Sequence, residues 1–128
     1  MNEEQMTRLV TRAIEASRSA WDRAHEGLPT SVMTRTASIP AIGILAATLL
    51  EQLDEDDATI TARAEAAIRI ARRAWEQTHR QLPGNPIAVT ATRSVVGILA
   101  AGVLNREHND RRKEKARHGG ETADASNT

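Results

Sequence analysis

Ala20-Trp21-Asp22-Arg23-Ala24-His25-Glu26-Gly27-Leu28-Pro29 returns 54 positions later as Ala74-Trp75-Glu76-Gln77-Thr78-His79-Arg80-Gln81-Leu82-Pro83. Alanine, tryptophan, histidine, leucine and proline keep their places in both. Working outward from this stretch, residues 7–56 laid over 61–110 without a gap give 18 identical pairs in 50. A second block, Gly43-Ile44-Leu45-Ala46-Ala47 against Gly97-Ile98-Leu99-Ala100-Ala101, ends with Leu50 against Leu104. Repetition at such a period marks one supersecondary unit stacked on its copy, because a lone unit cannot bury its own apolar face.

The unit is a helical hairpin. In its first half Met6, Leu9, Val10, Ala13, Ser17, Ala20, Trp21, Ala24 and Leu28 recur at three- and four-residue spacing, which lines one face of an α-helix. The second copy keeps the stripe with Ile60, Ala64, Ala67, Ile68, Ala71, Ala74, Trp75, Thr78 and Leu82. Leu-Pro closes both first helices, since proline lacks an amide proton and restricts the residue before it. The following helices carry Ile39, Gly43, Ile44, Ala46, Ala47 and Leu50, then Val95, Ile98, Leu99, Gly102, Val103 and Leu104. These read as buried on most of their circumference, with Pro40 kinking the second helix or delaying its start. Gly43 and Ala47 with Gly97 and Ala101 lack bulk, so the two segments are expected to face each other at the centre, within the chain or across a dimer interface.

The expected fold is all-α: an up-down-up-down four-helix bundle of two repeated hairpins. Helices are predicted over 3–27, 32–54, 58–81 and 86–117. Asp54-Glu55-Asp56-Asp57 supplies an acidic cap for the third, and Asn85-Pro86 starts the fourth. Residues 1–118 form one domain with repeat units 3–57 and 58–111. Gly119-Gly120 ends the last helix, and 119–128 form a disordered polar tail.

With 128 residues and no Cys, Phe or Tyr, the core rests on aliphatic side chains, alanine and two tryptophans, without disulfide or thiolate ligation. No secretory signal is legible, and a cytoplasmic location is the expectation. The charge-free runs Thr36 to Leu50 and Ser94 to Asn105 fall short of the roughly 20 residues of a spanning helix, so no membrane insertion is expected.

No ordered nucleophile and base, HExxH, calcium loop or phosphate loop is present, so neither enzyme activity nor a metal or cofactor is expected. Trp21, His25, Trp75 and His79 read as a repeated core or the edge of a pocket, with the histidines closing their helices. A less favoured reading makes the tryptophans the wall of an apolar-ligand site. The zero net charge conceals a polarity: residues 1–57 carry 5 basic and 10 acidic side chains, and residues 58–128 carry 12 and 7. The leading expectation is a non-enzymatic protein-interaction or homo-oligomeric scaffold, partnered by itself or another protein. The alternative is a nucleic-acid-associated regulatory protein that contacts phosphate through Arg106, Arg111, Arg112, Lys113, Lys115 and Arg117.

Overall fold

The computed structural model describes the backbone of residues 1–28, 30–80 and 86–126 and the side chains of 1–28, 30–80 and 87–118. The chain is all-helical: α1 spans Glu3–Ala24, α2 Val32–Leu50, α3 Asp57–Thr78 and α4 Pro86–Ser126. Among the described residues there is no strand.

Each helix start follows from a local side chain. Asn2 accepts the Gln5 amide at 2.8 Å while the Gln5 side chain accepts the Asn2 amide at 3.0 Å, a reciprocal capping box. Ser31 and Thr34 form the same arrangement ahead of α2. Asp56 caps α3 by accepting the Thr59 amide at 2.8 Å, which holds its carboxyl below the usual carboxylate range. The expected Asn85 cap, Pro29 and Leu82-Pro83 lie outside the described residues.

All four helix C-termini differ from the sequence reading. Helices α1 to α3 stop three or four residues early, because Gly27 adopts a positive φ of 80° and residues 51–55 turn before the Asp56 cap. Pro40 lies inside α2, which begins at Val32 without delay; its ring is exposed. Helix α4 passes through Gly119 and Gly120 to Ser126, beyond the boundary expected at residue 117 and into the expected tail. Glycine weakens a helix by about 1 kcal/mol but retains its amide donor, and no proline follows Pro86. Once nucleated, a helix extends one hydrogen bond at a time.

Packing joins α1 to α2 and α3, and α4 to α2 and α3, around a shared core, as in a helical bundle. Leu45, Leu49, Ile60, Ile68, Val96 and Leu104 are its largest fully buried aliphatic side chains. Contacts along α1 and α3 advance together. Arg12 donates to the Leu53 carbonyl at 3.1 Å, to the Glu55 carbonyl and to the Asp57 carboxylate, whereas Arg72 donates to the Ala24 carbonyl at the other end. Ala24 closes α1, but Arg72 is six residues from the end of α3. The last two turns of α3 therefore overhang α1.

Along α2 and α4, Ser94 approaches the Ala37 carbonyl at 3.5 Å, Gly97 abuts Ala41, and Gln52 reaches the Leu104 carbonyl at 3.4 Å. Ser17 is fully buried in α1 and its hydroxyl has no hydrogen-bond partner among the described residues. Its counterpart 54 positions on is Ala71, also buried. Because an unsatisfied buried hydroxyl costs about 1–3 kcal/mol, Ser17→Ala is expected to raise the midpoint of urea unfolding. A lower midpoint in the variant would show that the hydroxyl is satisfied in solution.

Candidate functional site

Helices α2 and α4 are the apolar pair. Over residues 32–50 the only charged side chain is Arg35, and over 86–105 the only one is Arg93. Because these arginines lie within helices, the apolar helical segments are longer than the charge-free runs. Val32–Leu50 and Ile87–His118 are long and apolar enough to cross a membrane by length and composition, yet only 33% and 28% of their apolar windows are buried. A helix from the middle of a core would bury more of itself.

The unburied part is ordered. On α2 the exposed residues Val32, Met33, Thr36, Ile39, Pro40, Gly43, Ile44 and Ala47 follow one another at helical spacing and lie opposite the buried Ala41, Leu45 and Leu49, with the exposed Arg35 at their border. On α4 the exposed Ile87, Ala91, Ile98, Leu99 and Gly102 lie opposite Val96, Gly97, Ala100 and Leu104. Because the two helices pack side by side through Ala37–Ser94 and Ala41–Gly97, the exposed arcs adjoin and form one outer face. Val32 is 79% exposed, Ile87 74%, Ile39 69% and Ile98 56%.

With Met33, Ile44 and Leu99, these side chains offer on the order of 800 Å² of mostly apolar surface, above the roughly 300–600 Å² typical of the largest patch on a monomer. Its charges lie at the borders: Arg35, exposed one turn from Val32 and from Ile39, flanks its start, and Glu51 and Arg106 stand at its far corners.

The four small residues expected to meet at a helix seam divide between two surfaces. Gly97 and Ala101 are buried on the α2 side of α4. A Cβ on Gly97 would lie 2.5 Å from the Ala41 Cβ and 2.8 Å from its Cα, so this glycine sets the distance between the helices. Gly43 and Ala47 are exposed on the outer face, and space beside Gly43 is open. Within the chain they do not meet Gly97 and Ala101, a correction of the intrachain version of that expectation. The facing residue is Ala41, two positions before the repeat partner Gly43.

The tryptophan–histidine pairs are local in both copies. His25 is the C-cap of α1 and its Nδ1 lies 2.8 Å from the Trp21 carbonyl; His79 is the C-cap of α3 and its Nδ1 lies 3.0 Å from the Trp75 carbonyl. A carbonyl only accepts, so each Nδ1 carries the proton. Ring centroids are 4.2 Å apart in the first pair and 3.7 Å in the second. Trp21 is buried and Trp75 half-buried, so the copies are not environmentally equivalent.

Beside Trp21 and His25 lies an open cavity of about 600 Å³ between the end of α1 and the start of α2. Arg18, Arg35 and Arg93 line it together with Asp22 and Glu26, while Thr34 and Ser38 contribute hydroxyls. These polar groups share the lining with the apolar surface of Trp21, Leu28 and Ile42. Burial lowers the His25 pKa to about 4; Arg93 on α4 and Arg72 on α3 also oppose its protonation, whereas the Trp21 carbonyl and Asp22 favour it.

The unfolded chain takes up that proton near pH 6.5 and the folded chain does so near pH 4, so stability falls as pH drops through this window and levels below it. The full shift corresponds to about 3 kcal/mol, reduced to about 1–2 kcal/mol because the ring is part-exposed. Urea unfolding of the native protein and His25→Gln is expected to show a steeper loss for the native chain between pH 6.5 and 4. Parallel curves would dismiss His25 as the origin.

The sequence-identified cations are all on the part of α4 that outruns α2. Arg106, Arg112, Lys113, Lys115 and Arg117 are exposed and Arg111 is half-buried. At 100° per residue they lie around the whole circumference rather than along one stripe, with Glu107, Asp110 and Glu114 between them. Among the described residues no group of three or more His, Cys, Asp or Glu side chains is arranged to hold a metal. No protein-family model, curated protein or solved structure matches this chain.

Proposed function

We propose that the protein is a non-enzymatic helical interaction protein, two repeated hairpins in an up-down-up-down bundle, that works by burying the outer face of α2 and α4 against another protein. The observation that supports this reading is that face: contiguous, mostly apolar, bordered by Arg35, and exposing Val32, Ile39, Ile87 and Ile98 by more than half. The opposite layer is conventional. Along α1 and α3, ion pairs such as Arg8–Glu4 at 3.5 Å and Arg69–Glu65 at 2.6 Å decorate the surface. A slab with one polar and one apolar side is suited to docking through the apolar side, and a cytoplasmic setting accords with this reading.

The competing use of such a face is contact with lipid. Flotation with phosphatidylcholine–phosphatidylglycerol vesicles separates the two. The protein is expected to stay at the bottom of the gradient, and Ile39→Ser with Ile98→Ser is expected to abolish its binding of an apolar dye. Co-flotation that the paired substitution abolishes would overturn a protein partner in favour of a bilayer.

A second reading, phosphate contact by the α4 extension, is favoured by one observation: five of its six cations are exposed on a helix that continues beyond α2. It calls for duplex DNA binding that weakens steeply with salt and is lost when Arg111, Arg112 and Lys113 are replaced by glutamine. Binding that ignores salt and those substitutions would remove it.

A further inference from the structure

We infer that the occupant of the α2/α4 face is a second copy of this chain, related by a two-fold axis along the helices so that α2 of each copy lies over α4 of the other. The inference rests on the interaction reading and names its partner. Four properties of the face support it. Its area, on the order of 800 Å², is what one partner contributes to a standard-size interface. Its surface is apolar over both helices, and an isologous interface requires one patch to complement itself.

The third property is relief. A Cβ on Gly43 or Gly102 would meet nothing within 4 Å among the described residues, so small residues alternate with Ile39, Ile44, Ile98 and Leu99 along the face. A facing copy can seat its isoleucines over these positions, as Ala41 seats against Gly97 inside the chain. The fourth is charge. Residues 1–57 have 5 basic and 10 acidic side chains, and residues 58–128 have 12 and 7, giving balances of −5 and +5. Placing α2 over the partner's α4 brings the acidic segment 51–57 after one copy's α2 toward the basic 106–117 stretch of the other copy's α4, whereas α2 over the partner's α2 side by side brings acidic segment to acidic segment. It also sets Glu51, one turn after Ala47, near Arg106 of the other copy, one turn after its Gly102.

Sedimentation equilibrium on the full chain tests the partner. A dimer is expected at tens of micromolar, and Ile39→Glu or Ile98→Glu is expected to weaken it at least 100-fold. Because both positions are exposed in the single chain, the variants should keep their helical circular dichroism. A monomer at every concentration up to a millimolar would overturn the second copy. If that monomer also fails to float with vesicles, the wider protein-interaction reading survives the loss.

Crosslinking tests the arrangement in a chain that has no native cysteine. Ala47→Cys and Gly102→Cys chains, mixed and oxidised, are expected to join to each other, since a disulfide requires Cα atoms within about 7 Å. Ala47→Cys joined predominantly to itself would overturn the proposed axis in favour of α2 on α2.

Discussion

Gly97→Leu is expected to cost about 3 kcal/mol and to lower the melting temperature by roughly 10 °C in a domain of this size. The first added carbon already has no room, at 2.5 Å from the Ala41 Cβ and 2.8 Å from its Cα. Ala41 is fully buried, and the backbone atom cannot rotate away as the tip of a long side chain could. Helices α2 and α4 must separate, opening the contacts that their neighbours Val96, Ala100 and Leu45 make in the core. Gly97→Ala is a graded version: about 1 kcal/mol of helix propensity is gained, but the same clash makes the net effect unfavourable.

Gly43 is the control, occupying the equivalent place 54 residues earlier with open space around it. Gly43→Ala is expected to stabilise an isolated chain by up to about 1 kcal/mol. Thermal melts of the three variants at one protein concentration test the argument. If Gly97→Leu melts with the native chain, the close approach of α2 to α4 is not present in solution.

The contrast between Gly43 and Gly97 also marks what the sequence conveys. Helix existence is legible because α1 and α3 alternate apolar and charged residues at the helical period, and because Ser31 and Asp56 have short polar side chains that replace missing backbone partners. The outer face of α2 and α4 is not legible. A sequence locates the buried side of a helix by contrast with a polar side, and these helices have almost none, so Ile39 and Leu45 look alike as letters. Only packing distinguishes Leu45, fully buried, from Ile39, 69% exposed.

The close helix seam is half legible for a related reason. Small residues at Gly97 and Ala101 identify a helix that can be approached closely, but identical blocks at 43–47 and 97–101 invite a symmetric pairing. The actual register puts Ala41 opposite Gly97. Its offset depends on how the hairpins slide along each other, and that is decided by contacts such as Arg12 with residues 53–57 and Arg72 with Ala24. No local pattern encodes that slide. The cavity beside His25 likewise depends on Arg93, distant in sequence and delivered by α4.

Trp21→Ala is expected to be the more damaging of two alanine substitutions that sequence alone would rate equal. Trp21 is 2% exposed in the main core cluster, and truncating a buried tryptophan costs about 3–5 kcal/mol. Against a total of about 5–15 kcal/mol for a typical domain, that loss removes a large share of stability. Trp75 is half-buried at the edge of the same cluster, and Trp75→Ala is expected to cost about 1–2 kcal/mol, in proportion to the area it covers.

The difference follows from the slide between the hairpins. Arg72 meets the last residue of α1, so Trp75 lies in the overhanging turns of α3, where α1 no longer covers it. Trp21 lies within the paired length and is enclosed. Urea unfolding of the two variants, with the remaining tryptophan as reporter, measures both costs and should show redder emission from Trp75 than from Trp21. Equal costs and matching emission would mean that the two hairpins are in register, and with it the overhang that separates the copies would be lost.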